Sequence, residues 1–516
     1  MNRGVWMLIC FIFVFGCKKN NYSNSSDSSP VLIDIPTDSV ILNPSGYAPL
    51  SAEIKFFHAV AGKSKIVVLG KNGKASNIQH QFNDYGLAHS IPVIGLYPNH
   101  NNTIEIYLLG NNDDSIAKAI VHIQTGLLPP DMPTVFRIDS AHYNVADPGI
   151  FLVSNYSAGQ PNKPYMMDNW GDIRWMLDYS SSSELNHLIY DTGIFRLRNG
   201  NFCFGDISNH KIYEVDMLGY IKNRWSLSGY LFHHEVMEKH DGNFILSASL
   251  PSSTNTNGVP TEEDYIIELN RQTGSLVNVW DLKESLDEYR TTLTSNVSDW
   301  IHVNGLAYDS TDQSIIISGR TQGVVKLDYN NNVKWILSPH RGWGFNRRNE
   351  DLKQFLLKPL DANNSLINDT AVINGSANHP DFEWSWFQHS PALIPGPGLL
   401  LFDNGTTRNF VPSTGGYSRA VVYKIDEQNK TVRQVWQYGK ERGIETYSSI
   451  ISSVQYLASS KHIVFGPGYR VVNASGLGGK MVEIDYLNRQ PVLQVSVSAA
   501  NNLGFHRAKK MSAYPE

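Results

Sequence analysis

"STDQSIIISGRTQGVVKLDYNNNVKW", residues 310–335, runs through an apolar strand, a polar gap and a second strand ending in Leu-Asp. An Asn-rich turn and a third strand closing on tryptophan complete it. Ile and Val runs bounded by Gly, Asn and Asp read as buried strands joined by hairpins. The same order recurs in "LRNGNFCFGDISNHKIYEVDMLGYIKNRW" (197–225) and "EKHDGNFILSASL…DYIIELNRQTGSLVNVW" (238–280). Looser copies follow in "PGLLLFDNG…RAVVYKIDEQNKTVRQVW" (397–436) and "SKHIVFGPG…KMVEIDYLNRQPVLQV" (460–495), and a sixth, "PGIFLVSN…PYMMDNWGDIRW" (148–175), stands at the front. Closing tryptophans fall at 175, 225, 280, 335 and 436; the last copy has Val495 near its end instead. Units of about 40–50 residues with this content are the mark of propeller blades. Six copies predict an all-β chain whose residues 136–516 form a six-bladed β-propeller, with the tryptophans packed between blades.

Outside the repeat, "AEIKFFHAV", "KIVVLGK" and "NTIEIYLLG" read as strands of a small β-sandwich-like domain over residues 31–135, ended by the Pro-rich "TGLLPPDMPT" (125–134). Helical patterning is scarce, and "RNEDLKQFLLKPL" (348–360) is its best candidate. That stretch lies in an insertion, 338–382, long enough to be a lid or partner surface.

The first 17 residues carry one arginine, an apolar run of signal-peptide length and Gly16-Cys17. "VFGC" resembles a lipoprotein cleavage site, with Cys17 as the lipidated residue, and residues 18–30 form a polar tether. The expectation is an exported cell-envelope lipoprotein, periplasmic or outer-membrane tethered, touching the membrane only through that anchor. Cys10 and Cys17 leave Cys203 alone in the body, so no internal disulfide forms there. Cys203, inside "GNFCFGD", reads as a buried strand residue rather than a nucleophile. A net charge of −5 over 516 residues supplies no basic stripe for nucleic acid.

Three blades open on a histidine: His234 in "FHHEVMEKHDGNFILSA", His302 in "WIHVNGLAYD" and His389 in "FQHSPALIPGPGLLLFDNG". Counted to Leu246, Ile316 and Leu400, they sit 12, 14 and 11 residues ahead of equivalent strand positions. Equivalent positions lie around the central channel, so the repeat predicts that these imidazoles converge. Arg320, ending "IIISGR", offers a fork of donors for an oxyanion, and Asn304 a neutral donor. His233 should point away from His234 if the stretch is extended. Carboxylates such as Asp403 could support the site, although "FDNG" favours a structural use. Two chemistries fit: three histidines could bind a divalent metal for hydrolysis or lyase chemistry, or one could be a nucleophile with the others as acid and base. A non-catalytic binding propeller of the cell envelope is the third class.

At these residues the sequence resembles the bacterial arylsulfate sulfotransferase (arylsulfotransferase, ASST) family. "HSIPVIGLYPNHNNTIEI" (89–106), "YMMDNWGDIRW" (165–175), "HHEV", "HVNGLAYD…ISGR", "QHSPALIPGPGLLLFDNG" and "YSRAVVYKIDE…VWQYGKERGIETYSS" occur in order from about residue 45 to 500. The resemblance implies a six-bladed propeller with an N-terminal β-domain. It implies transfer of a sulfuryl group from an aryl sulfate to a phenol, without a nucleotide donor, cofactor or metal. Consistently, no phosphate-binding G-x-x-x-x-G-K-[ST] occurs; in "FHAVAGKS" Phe57 stands where the first glycine belongs. The resemblance makes His389 the transiently sulfated residue, His302, His234 and Arg320 its catalytic partners, and Asn304 and Thr446 substrate-binding residues. A homodimer is expected by resemblance alone. Some members carry a disulfide near the site that this chain has no cysteines to form.

Overall fold

A computed structural model describes residues 31–515, apart from 134, 157–160, 190–191, 397, 413–415, 475 and 499–502. The export segment, Cys17 and the tether to residue 30 lie outside the described residues. Among the described residues no helix is long and apolar enough to cross a membrane.

Among the described residues six sheets of at least four strands make the propeller, and a seventh, six-stranded sheet makes the N-terminal domain. Blades 2 to 4 are each one continuous stretch: Phe195–Ser226, Leu231–Asp281 and Val303–Leu337. Blade 5 runs from His389 to Tyr438, and the short strand Lys358–Leu360 adds to its outer edge, parallel to Thr431–Arg433. The ring closes through both chain ends, which repeat counting alone does not reveal. Val135–Ala141 is the outermost strand of blade 6, beside Pro491–Ser498. Phe505–Met511 is the innermost strand of blade 1, beside Ile150–Asn155.

The two repeated features, the Asp/Asn turn and the tryptophan, meet at the blade boundaries. Asp216, Asn270, Asp328, Asp426 and Asp485 each accept a backbone N–H two or three residues on, which tightens the hairpin before the outer strand. The indole of Trp175, Trp225, Trp280 and Trp436 then donates to a carbonyl in the next blade's turn: Met217, Arg271, Asp328 and Tyr486. Trp335 reaches the Glu427 carboxylate instead. A buried indole with its N–H paired supplies apolar contact and about 1 kcal/mol of hydrogen bonding per boundary. At the sixth boundary, where no such tryptophan exists, Tyr143 stacks on Trp170 of blade 1's turn at 4.9 Å.

The N-terminal sheet packs Ile54, Ile66, Ile91 and Ile104 into one core with blades 1 and 2. Arg174 of blade 1 donates to the Gly95 carbonyl, and its guanidinium lies over the Tyr97 ring at 3.8 Å. The helix expected at 348–360 is not there. Asp351 caps a single 3-10 turn, Leu352–Phe355, and Pro359, with no N–H to give, sits in the edge strand that follows. Trp343, Leu352 and Leu356 of the insertion pack beside Trp280 and Ile336. Cys203 is buried in its strand, and burial raises its thiol well above the ordinary range.

Candidate active site

The inner strands that carry the histidines are not regular. The pairing slips between Phe232 and Val236 in blade 3, between Val303 and Gly305 in blade 4, and between His389 and Ala392 in blade 5. These bulges absorb the unequal offsets of 12, 14 and 11 residues counted in the sequence, and a bulge turns a side chain off the strand's normal alternation. Two backbones also leave the strand region: φ is +58° at His234 and +51° at His302, uncommon for residues with a Cβ. Gly305 lets the inner strands of blades 4 and 5 close up, since a Cβ there would stand 2.6 Å from Pro391 Cδ.

His234 and His302 meet: their Nε2 atoms are 3.1 Å apart. Two bare lone pairs would repel at that distance, so one proton lies between them. His302 Nδ1 faces both Asp299 oxygens at 3.0 Å and Glu263 Oε2 at 2.7 Å, which makes it an N–H donor. Arg320 reaches Asp299 at 3.3 Å, and its backbone N–H is tied to the His302 carbonyl. Among the described residues the buried Arg320 Nε has no hydrogen-bond partner.

His233 departs from the sequence expectation. Its Nδ1 lies 3.7 Å from Glu263 Oε2 and its ring packs edge-on to His234, because the bulge and the positive φ break the alternation that would have turned it away. His506, on the innermost strand of blade 1, stacks parallel to His234 at 6.2 Å. No signal in the repeat marks His506, since its strand belongs to a blade whose other strands lie more than 300 residues earlier.

His389 is buried, and its Nδ1 sits 2.7 Å from Asn404 Oδ1 and 3.0 Å from the Phe387 carbonyl. The Asn404 amide cannot be turned round, because its Nδ2 donates to the Ser448 and Ile451 carbonyls. Oδ1 therefore faces the ring, His389 Nδ1 carries the hydrogen, and Nε2 keeps its lone pair. Burial holds this imidazole well below its ordinary pKa; the Asn404 bond works the other way, and Arg320, His234 and His302 add to the lowering. Asp403, next door, is spent on Arg419 and Arg408 at 2.8 and 3.0 Å and does not serve the histidine. Asn404, Asp299 and Glu263 were not singled out from sequence. Asp299 precedes His302 by three residues, a faint signal, and Asn404 hides beside the more conspicuous carboxylate.

Asn304 Nδ2 donates to the Gln388 carbonyl at 2.9 Å, bridging blade 4 to the turn before His389, while its Oδ1 has no partner among the described residues. Thr446 is fully buried, two residues before Ser448, and its hydroxyl is unpaired among the described residues. Ligand-type atoms of His233, His234 and Glu263, and of Glu263, Asp299 and His302, lie within 4.8 Å of one another, within reach of a cation. Asp309, Asp312 and Glu427 also cluster, around Lys326 and Lys334.

Comparison with known proteins joins this geometry to chemistry. The family model for arylsulfotransferase (ASST) matches residues 138–507, and that for the arylsulfotransferase Ig-like domain matches 39–126. Arylsulfate sulfotransferase AssT of Escherichia coli O6:H1 (strain CFT073) is 29% identical over 550 aligned positions, covering 89% of this chain and 90% of that protein. The protein of the same name from Lelliottia amnigena matches at the same identity and coverage. Among solved structures, a streptogramin B lyase is 10% identical, covers 72% of this chain and 100% of its own, and has a TM-score of 0.30, too low to carry an argument. With family models matched across both the N-terminal domain and the propeller, the chain belongs to the arylsulfotransferase (ASST) family.

Proposed function

We propose that this aryl sulfotransferase works by double displacement through a sulfo-histidine at His389. One observation carries the reading: Asn404, fixed by two carbonyls, commits the hydrogen of His389 to Nδ1 and leaves Nε2 as a lone pair on a neutral, buried ring. Nε2 attacks the sulfur of an aryl sulfate in line with the aryl oxygen. The S–O bond breaks, and the His234–His302 pair, holding one proton more than two neutral rings, gives a proton to the departing phenolate while the hydrogen between the two Nε2 atoms stays in place. An acceptor phenol then returns a proton to the pair as its oxygen attacks sulfur; the S–N bond breaks and His389 recovers its lone pair. Sulfuryl transfer, like phosphoryl transfer, draws its catalysis from positioning and charge stabilisation. Arg320, with a buried N–H unpaired, holds sulfuryl oxygens. Asn304 steadies the turn before His389 and has a second amide hydrogen for the same oxygens. The Thr446 hydroxyl, buried and unpaired among the described residues, serves the substrate from the connection between blades 5 and 6.

Donor alone, with no acceptor, should release one equivalent of phenol and leave a sulfuryl mass on the peptide holding His389. His389→Ala should abolish both; transfer at the wild-type rate in that variant would refute the reading. We also propose export as a lipoprotein carrying lipid on Cys17, and assembly as a homodimer. The mass of the mature N-terminal peptide from a membrane fraction, and sedimentation of the purified chain, test these two points.

A further inference from the structure

Glu263 lies on the long connection between the second and third strands of blade 3, far from any histidine in sequence. Its placement is built, not incidental. Its backbone holds φ +57°, a conformation disfavoured for a residue with a Cβ. The strained turn is pinned at both sides: the Glu263 N–H donates to Ser249 Oγ at 2.7 Å, and its carbonyl accepts from the Val303 N–H of blade 4 at 3.2 Å. The result aims Oε2 between the rings, 2.7 Å from His302 Nδ1, 3.3 Å from His234 Nε2 and 3.7 Å from His233 Nδ1.

We infer that Glu263 is a positioning residue that keeps the His234–His302 pair protonated until the leaving phenolate takes a proton. The inference rests on the acid–base role given to that pair above. An anion beside an imidazole favours its protonated form. Asp299 reaches only His302 of the pair and divides its contacts with Arg320, whereas Glu263 touches both rings. The groups facing Glu263 are His233 and His234 from the inner strand of blade 3, Asp299 and His302 from the segment leading into blade 4, and Arg320 from blade 4; Glu262 and Asp264 flank it on its own loop. Burial alone would raise its carboxyl; the charges of His233 and His234 and hydrogen bonding to His234 and His302 outweigh that and hold it well below the usual range, so it stays an anion. In the second half-reaction the same anion draws the acceptor phenol's proton back to the pair.

A purely structural glutamate and a proton-holding one differ in how substitution depends on the leaving group. Donor-only phenol release should be measured for wild type and Glu263→Gln, with 4-nitrophenyl sulfate and with phenyl sulfate, whose phenol ionises near pH 10. A phenolate stabilised by a nitro group needs little help from an acid, so that donor should sulfate His389 in the variant nearly as fast as in wild type. That result also shows the variant is folded. Phenyl sulfate should slow by roughly 10²-fold, the scale of general-acid catalysis. Equal slowing of both donors, or no slowing of phenyl sulfate, overturns the role of Glu263. If wild type itself forms no sulfo-His389 with either donor, the double-displacement reading falls, whatever the variant does.

Discussion

At the outer edge of blades 1 to 5 one indole after another donates to the next blade's hairpin turn, four times to a carbonyl and once to Glu427. At the inner edge of blades 3 to 5 no two strands place their bulge alike, and His234, His302 and Glu263 all sit at positive φ. The same blades thus carry a uniform contact on one side and irregular backbone on the other. The outer contact is repeated because every boundary faces the same task, excluding water between twisted sheets. The inner edge differs from blade to blade because each strand must aim a different group at one point. Positive φ at these three residues is tolerated because the outer contacts and the two closing strands hold the sheets in place.

If that division is real, substitutions at the two edges should separate activity from stability. The largest effect is expected from Arg320→Lys. Lysine keeps the charge but loses the planar fork, and the loss of an oxyanion donor costs about 10²–10³ in rate. Its side chain is partly exposed, so the urea midpoint should stay at the wild-type value. A variant that loses stability along with activity would blur the two edges. Trp280→Phe is the converse. It removes the indole bond to Asp328 and some buried surface, and should cost about 1–2 kcal/mol in stability with little change in donor-only phenol release. A large loss of activity in that variant would mean that blade boundaries tune the site.

The outer edge was legible in sequence for the reason it is uniform: strand, Asp or Asn turn and tryptophan are local and recur. The convergence of His234 and His302 was legible too, because position within a blade maps onto position around the channel. What could not be read is non-local or conformational. Phe505–Met511 completes a blade begun at Ile150, so His506 has no neighbour in sequence to mark it. His233 turns inward only because His234 takes a positive φ, which no residue type announces. Glu263 reaches the histidines through a loop tied to blade 4. Asn404 stands beside the more conspicuous Asp403, although the amide orients His389 and the carboxylate neutralises Arg419.

The smallest effect separates the edges by pH. An isolated histidine takes up a proton near pH 6.5, but His389, buried with Nδ1 already donating to Asn404, resists it until well below that. Between those two values the unfolded chain binds a proton that the folded chain does not. The stability His389 contributes is therefore complete above pH 6.5 and is lost as the pH falls toward the folded value, by at most about 1.4 kcal/mol per pH unit. His80, His89 and His340 shift in the same direction and add to the total slope. They cancel when wild type is compared with His389→Gln, which should lose stability more gently below pH 6.5. A proton on His389 would also remove the nucleophilic lone pair. Donor-only phenol release in wild type should thus persist below pH 6.5, and a fall centred at 6.5 that leaves the two stability curves parallel would show the ring titrating as an ordinary exposed histidine.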